Sequence, residues 1–375
     1  MFDMGRDFGY RRVQSTGRKS YIISLPKDWV ENLGLEKGNE IAFKMLEDSS
    51  LILTPRKVLE GKKEKNERKE YWIYVDPRDS PESVCRKITS LYVISADIIH
   101  INFKDANTSS KYKNAIHELI KNDLLGSEII EETDRGITIH ILINHPEFPV
   151  EKAIRRMAVL ALYANKEAVS NLGKVNNETI KSIVDACNDV NRLSLYVTRQ
   201  LKFGLERNLY KEWGFRTAKE FLGYRIVVND IKSIADNAIS IVNNLMTLKK
   251  LFETDTLFLK EPIDEEVYSQ LLEFNNMTHQ LLEESLKALF KRDYEHADRV
   301  ISEIKSIRAK ENDLTVLISN KRMDPVFSSL FSLILDNSRR VADYSRNIAE
   351  VTLNRTVEDI SIHYLSRVSE GEGKS

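Results

Sequence analysis

The sequence predicts a multi-domain chain: a small N-terminal β-hairpin domain, an α/β middle unit of order β-α-β-α-β-β, and a C-terminal all-α bundle of two three-helix repeats. Three observations predict it. Residues 10–56 hold short β-rich runs broken by glycine and proline, and residues 70–146 alternate between strand-like and helix-like runs. Beyond about residue 150, proline and glycine become rare and apolar residues recur every three or four positions. The expected segments are 1–56, a charged linker at 57–69, 70–149, 150–356 and a disordered tail at 357–375.

Within 10–56, Thr16-Gly17 supplies a turn, and Ser20-Tyr21-Ile22-Ile23-Ser24-Leu25 reads as a strand. Pro26 opens a short helix holding Trp29 and Val30, and EIAFKML and LILTP form a second hairpin. From Phe8 to Lys27 there are five basic residues, Arg11, Arg12, Arg18, Lys19 and Lys27, and no acidic one. The chain as a whole balances 56 Lys and Arg against 57 Asp and Glu, so a basic surface has to be local, and this is where it lies. A hairpin of this length cannot bury a core alone, which predicts a homodimer through residues 10–56. A two-stranded ribbon with basic edges suits the major groove and its phosphates.

In the middle unit, EYWIYV and ADIIHINF read as strands, SPESVCRKITSLYV and SSKYKNAIHELIKN as helices, and SEIIEET with GITIHILIN as a hairpin turning at Asp134, Arg135 and Gly136. His100 and His140 fall on strands, where a structural role is expected, and Glu131, Glu132 and Asp134 form a polar tip. The unit reads either as a ligand-sensing module, by analogy of fold, or as a dimerising spacer.

Six long helices are expected at roughly 150–172, 176–207, 216–249, 263–291, 293–320 and 323–355. A shift of 107 positions lays Ile234 on Val341, Ala235 on Ala342, Asp236 on Asp343, Ile241 on Ile348 and Lys232 on Arg339. Val227, Ile231, Ile234, Ala238, Ile241 and Leu245 alternate spacings of four and three, a coiled-coil-like seam. The helices therefore form a bundle of two repeated three-helix units.

Other chemistry is sparse. No apolar run reaches the roughly 18 residues of a spanning helix. MAVLALYA stops at Asn165 and Lys166, and Asp3, Arg6 and Asp7 stand where a signal peptide would be apolar, so a cytoplasmic chain is expected. Cys85 and Cys187 lack metal-ligand spacing and are expected as buried thiols in a reducing compartment. There is no phosphate-binding glycine loop, HExxH or GxSxG, and no enzymatic activity is expected.

The strings STGRKSYIISLPKDW and LGLEKGNEI resemble the AbrB/MazE/SpoVT family of swapped-hairpin DNA-binding domains, over residues 10–56. The resemblance implies a swapped dimer whose first hairpin faces DNA. It places Arg11, Arg12, Gln14, Ser15, Thr16, Arg18, Lys19 and Lys27 on that face. Asn39-Glu40 departs from the family's usual Asp followed by an apolar residue, away from the DNA face. The strings ADNAISIVNN, ADYSRNIAEV and ALFKRDYEHADRVISEI resemble the PhoU family of phosphate-uptake regulators, over residues 150–355. An AbrB-like domain ahead of a PhoU-like body is similar to a combination found in archaea.

The PhoU resemblance raises a divalent metal on the helical domain, with Asp236 and Asp343 as candidate ligands. That family's motif puts a second carboxylate four residues earlier, on the same helical face. Here the position is Lys232 or Arg339, which favours an intrahelical salt bridge, while Asp230 and Asp336 lie nearby in a different helical phase. Together the resemblances imply a DNA-binding transcriptional regulator of phosphate uptake and homeostasis, whose partners are DNA, a second copy, and a phosphate transporter ATPase or another regulator. The alternative is a dimeric adaptor that regulates a phosphate transporter through its helices without binding DNA. An antitoxin role fits poorly, because antitoxins usually carry a short toxin-binding tail and not a long bundle.

Overall fold

The structure is a computed structural model. It describes all residues except 1–7, 18–19, 46–48, 59–67, 107–108, 144–147, 172–175, 254–263 and 372–375. The chain divides into two compact units, Met1–Arg68 and Lys69–Ser375. The expected linker lies largely outside the described residues.

In the first unit, β1 (Gln14–Thr16) pairs antiparallel with β2 (Ser20–Ile22), and Gly17 supplies the left-handed turn at φ 68°. Pro26 precedes α1 (Lys27–Asn32), its fixed φ suiting a helix start. β3 (Ile41–Met45) and β4 (Leu51–Pro55) form a second antiparallel pair, Ile41 opposite Pro55 and Met45 opposite Leu51. An Arg56–Glu40 ion pair closes its open end.

The second unit begins with β5 (Glu70–Val75), α2 (Pro81–Val93), β6 (Ile98–Phe103), α3 (Ser109–Asn122), β7 (Ser127–Thr133) and β8 (Gly136–Ile141). The expected β-α-β-α-β-β order holds. The sheet runs β5-β6-β8-β7, with β5 parallel to β6 and the other neighbours antiparallel. Alternation decides the faces. Ile73, Val75, Ile99, Ile101, Ile137 and Ile139 pack against Val84, Ile88, Tyr92, Tyr112 and Ile116 of α2 and α3. The opposite face carries Trp72, Tyr74, His100 and Thr138. Ser80 caps α2, its Oγ accepting from the Ser83 N–H at 3.2 Å, with Pro81 in the first turn.

Six helices follow: α4 (Val150–Ser170), α5 (Asn177–Glu206), α6 (Glu220–Glu253), α7 (Glu265–Lys291), α8 (Tyr294–Asn320) and α9 (Pro325–Gly371). Asn176, Asp264 and Asp293 cap α5, α7 and α8 through their side-chain oxygens. The helices pack as α4–α5–α6 and α7–α8–α9, and the triplets join through α6 against α9 and α4 against α7. The seam residues Val227, Ile231, Ile234, Ala238, Ile241 and Leu245 are all buried, as are the repeat mates Val341, Ala342 and Ile348. The last helix departs from expectation. It continues past 355 to Gly371, so part of the span read as a tail is helical, because no proline or glycine stands between Pro325 and Gly371 to stop it.

One arginine ties the sheet layer to the bundle. Arg199 of α5 is 3% exposed and donates from Nη1 to the Tyr92 and Ala96 carbonyls at 2.8 and 2.7 Å. Its guanidinium lies over the Tyr92 ring, and Asp97 is 3.8 Å away. Burial pushes its pKa down, opposed by Tyr92 and Asp97. Tyr92 lies in the last turn of α2, where its carbonyl also accepts from the Ser95 N–H, and Ala96 follows just after the helix, so the arginine tethers the end of α2 to the bundle.

Candidate nucleic-acid interface

The residues expected on the DNA face lie along and beside the first hairpin. Arg11, Arg12, Gln14, Ser15 and Thr16 are exposed, with Gln14, Ser15 and Thr16 opposite Ile22, Tyr21 and Ser20. Lys27 is exposed in the first turn of α1, 3.5 Å from Glu31. Arg18 and Lys19 lie outside the described residues. The Arg11 guanidinium bonds the Tyr10 carbonyl at 3.1 Å, and the first carboxylate after this stretch is Asp28. No residue from Phe8 to Lys27 is acidic, and of the described cations in this stretch Lys27 pairs with a carboxylate, Glu31.

The first unit is unusual in another respect. Among its described residues only Pro55 is buried. Most apolar residues of its four strands, Tyr21, Ile22, Phe43, Met45, Leu51 and Ile52 among them, are exposed, and Ile41 and Leu53 are half-buried. A single copy of this unit has no interior.

The candidate metal ligands sit in ion pairs. Lys232 Nζ lies 2.9 Å from Asp236, on the exposed side of α6. Arg339 binds Asp343, Asp336 at 2.8 Å and Glu311 of α8 at 3.3 Å, and Arg340 binds Asp336 at 2.9 Å. Among the described residues no group of three or more His, Cys, Asp or Glu gathers to hold a metal. At Asp336 burial raises the carboxyl, but hydrogen bonds from Arg339 and Arg340 outweigh it and leave the pKa below the usual range. Burial pushes Glu311 up, opposed by Arg339. The expected i,i+4 pairs are thus formed. Glu311, on another helix, is the member that spacing along one helix did not indicate.

Three further polar groups have surroundings that the sequence did not show, although Asp230 and His100 themselves stood out in it. Asp230 is 8% exposed, one carboxylate oxygen lacks a partner, and burial pushes its pKa up to about 6, opposed by a hydrogen bond from Asn347. His279 bonds Asn165 across α7 and α4 at 2.7 Å, and burial drives its pKa down to about 4. His100 stacks on Trp72 with centroids 5.0 Å apart and lies 3.3 Å from both Glu70 and Thr138. His140 sits opposite Ile98, on the same sheet face as His100.

The polar hairpin tip is only partly free. Glu132 accepts from His117 at 2.8 Å and lies 3.3 Å from Lys113, because its register turns it to the helix-covered face, whereas Asp134 is open to solvent. One of the two thiols also differs from expectation. Cys187 is buried, its pKa pushed up to about 12 by burial, but Cys85 is only half-buried, on the flank of α2 facing α3. No helix among the described residues is long and apolar enough to cross a membrane.

Residues 14–60 match the family described as antidote-toxin recognition MazE, bacterial antitoxin, and residues 271–352 match the PhoU domain. The second span runs from within α7 through α8 into α9, inside the second of the two repeated units. No curated protein matches the chain. Among solved structures, the phosphate transport system regulatory protein PhoU from Streptococcus pneumoniae is 16% identical, with TM-score 0.44, covering 54% of this chain and 91% of that one. PhoU from Pseudomonas aeruginosa is 14% identical, with TM-score 0.36, covering 54% and 93%. The chain carries a segment similar to the MazE family at residues 14–60 and one similar to the PhoU domain at residues 271–352.

Proposed function

We propose that this chain is a DNA-binding transcriptional regulator of phosphate uptake and homeostasis that acts as a homodimer through residues 10–56. The observation that carries the reading is the first unit's missing interior. Its strands expose apolar side chains that only a second copy of the same strands would cover, in the manner of the family matched at residues 14–60. Pairing two copies sets two basic hairpins side by side. Arg11, Arg12, Arg18, Lys19 and Lys27 then bind phosphates, and Gln14, Ser15 and Thr16 reach the groove. The helical body, with its PhoU domain, receives the phosphate signal from a transporter ATPase or another regulator. Regulation requires the partner to bind one arrangement of the dimer better than another.

The test is a mobility shift on DNA upstream of phosphate-transport genes, run as a salt series with wild type and with Arg11, Arg12, Arg18 and Lys19 replaced by alanine. Wild type should bind with a steep salt dependence, and each phosphate-contacting side chain removed should lower the slope by about one. Equal binding by both proteins, or none by wild type, would leave the adaptor reading in place of this one. Mapping bound DNA in cells at low and high phosphate then tests the assignment to phosphate homeostasis. Equal occupancy near and far from transport genes would remove it.

A further inference from the structure

We infer that β5 is a docking edge for β5 of a second copy, joining two four-stranded sheets into one antiparallel eight-stranded sheet. The two edges of the sheet are built differently. The β7 edge carries a bulge between Ile129 and Glu131 and the carboxylates of Glu128, Glu131 and Glu132, devices that keep an edge from pairing. The β5 edge, Glu70–Val75, has no register shift against β6, no lysine and no proline. Its open face presents Trp72 at 56% and Tyr74 at 67% exposure.

Backbone geometry limits the register. The Lys69 carbonyl accepts from Asp97 and Ile98, and the Val75 carbonyl from Lys104, so the odd-numbered residues bond β6. In a parallel pair alternate residues face the neighbour, so Glu70, Trp72 and Tyr74 aim their N–H and C=O groups at the open edge. None of these three has a backbone bond outside the sheet among the described residues. A twofold antiparallel pairing must match these residues with each other. One centred on Trp72 does so: Trp72 faces Trp72 of the second copy, and Glu70 faces its Tyr74.

Six residues of strand pairing bury far less than the roughly 1,200 Å² of a stable free-standing interface. The edge therefore gains its strength from copies already held together, and to that extent it rests on the proposed dimerisation through residues 10–56. Tethering raises the effective concentration of one edge at the other to the order of millimolar.

The experiment uses the full chain carrying Trp72→Cys or Tyr74→Cys, a short thiol-to-thiol maleimide crosslinker, and sedimentation in parallel. Wild type, with Cys85 half-buried and Cys187 buried, is the control. Opposed residues in a hydrogen-bonded antiparallel pair lie about 5.5 Å apart. Two copies of residue 74 would be four residues out of register, about 13 Å apart. Trp72→Cys should crosslink at least about tenfold faster than Tyr74→Cys. Adding Tyr74→Pro to Trp72→Cys removes an outward N–H while sparing the β5–β6 ladder, and it should abolish that advantage. A dimer in which both cysteines react alike or not at all overturns the edge pairing and leaves the N-terminal dimer standing. A monomer with selective crosslinking supports the edge and removes the N-terminal dimer, and a monomer without crosslinking removes both.

Discussion

Asp230 offers a sharp test of how the bundle is held. Its carboxyl is buried between α6 and α9, one oxygen has no partner, and its pKa rises to about 6. A carboxyl whose folded pKa lies above its unfolded value favours folding when protonated. Its contribution is therefore intact below about pH 4 and is lost as pH rises through 6. The upward shift of about two pH units corresponds to about 3 kcal/mol, or about 2 kcal/mol once water reaching the helix seam is allowed for. Asp230→Asn removes the titration and keeps the shape, and the repeat mate of Asp230 is already an amide, Asn337. An unpartnered amide proton adds a fixed offset of about 1 kcal/mol, so the informative quantity is the change in the difference between the two proteins with pH. Thermal unfolding of both from pH 4 to 7.5 should show the variant gaining about 2 kcal/mol relative to wild type, or about 4 °C in Tm. Parallel curves would mean that Asp230 stays hydrated and that its burial is wrong.

Three other outcomes follow from buried contacts. Arg199→Ala strands the Ala96 carbonyl and leaves the Tyr92 carbonyl with the Ser95 N–H alone, and should cost about 1–3 kcal/mol, read as lost hydrogen-exchange protection where α2 meets α5; unchanged protection would refute the joint. His279, held neutral, should show no imidazole titration by NMR between pH 7 and 5. Because its folded pKa is depressed to about 4, it makes stability fall as pH drops from 6.5 toward 4, opposing Asp230, and a midpoint near 6.5 would contradict its burial. Gly136→Ala places a Cβ 2.8 Å from the Ile101 carbonyl oxygen, a backbone atom that cannot swing aside, and should cost about 1–3 kcal/mol in urea unfolding; a neutral result would mean that β6 and β8 sit farther apart.

What the sequence made legible was periodic or local. The helices from 150 onward announced themselves through seam spacing. The first hairpin did so through Gly17 between two short strands, and α2 through Ser80-Pro81. The basic run was legible because it lacks a single carboxylate over Phe8–Lys27. What stayed hidden depends on contacts between distant residues. Arg199 looks like any helix arginine until Tyr92 and Ala96, more than a hundred positions earlier, come beneath it. Glu311 joins Arg339 only because α8 lies beside α9. Glu132 seems part of a free tip until the bulge at Ile129/Glu131 turns it inward. The open face with Trp72 and Tyr74 was invisible because alternation alone does not say which face the helices cover.

The two three-helix units share a seam but close it with different chemistry. In the first unit the connection 207–219 is long and packs on the bundle. Trp213 lies against Gly204, where a Cβ would come 2.4 Å from the ring, and Phe215 meets Phe221 and Tyr224 edge-on. Arg355 of α9 reaches across to Glu220 and the Tyr224 hydroxyl, binding the second unit to the start of α6. In the second unit the connection 321–324 is short, and closure falls instead to Arg339 with its three carboxylates. Lys232, the repeat mate of Arg339, makes one i,i+4 pair, whereas the planar guanidinium with its five donors can serve several acceptors at once. An apolar seam tolerates duplication because it needs only shape and spacing, whereas polar partners must meet in three dimensions and so diverge once the connections differ in length. That is why the repeat is plain in Ile234/Val341 and Ile241/Ile348 and blurred at Asp230/Asn337, and why any signal received by one unit meets a different electrostatic closure in the other.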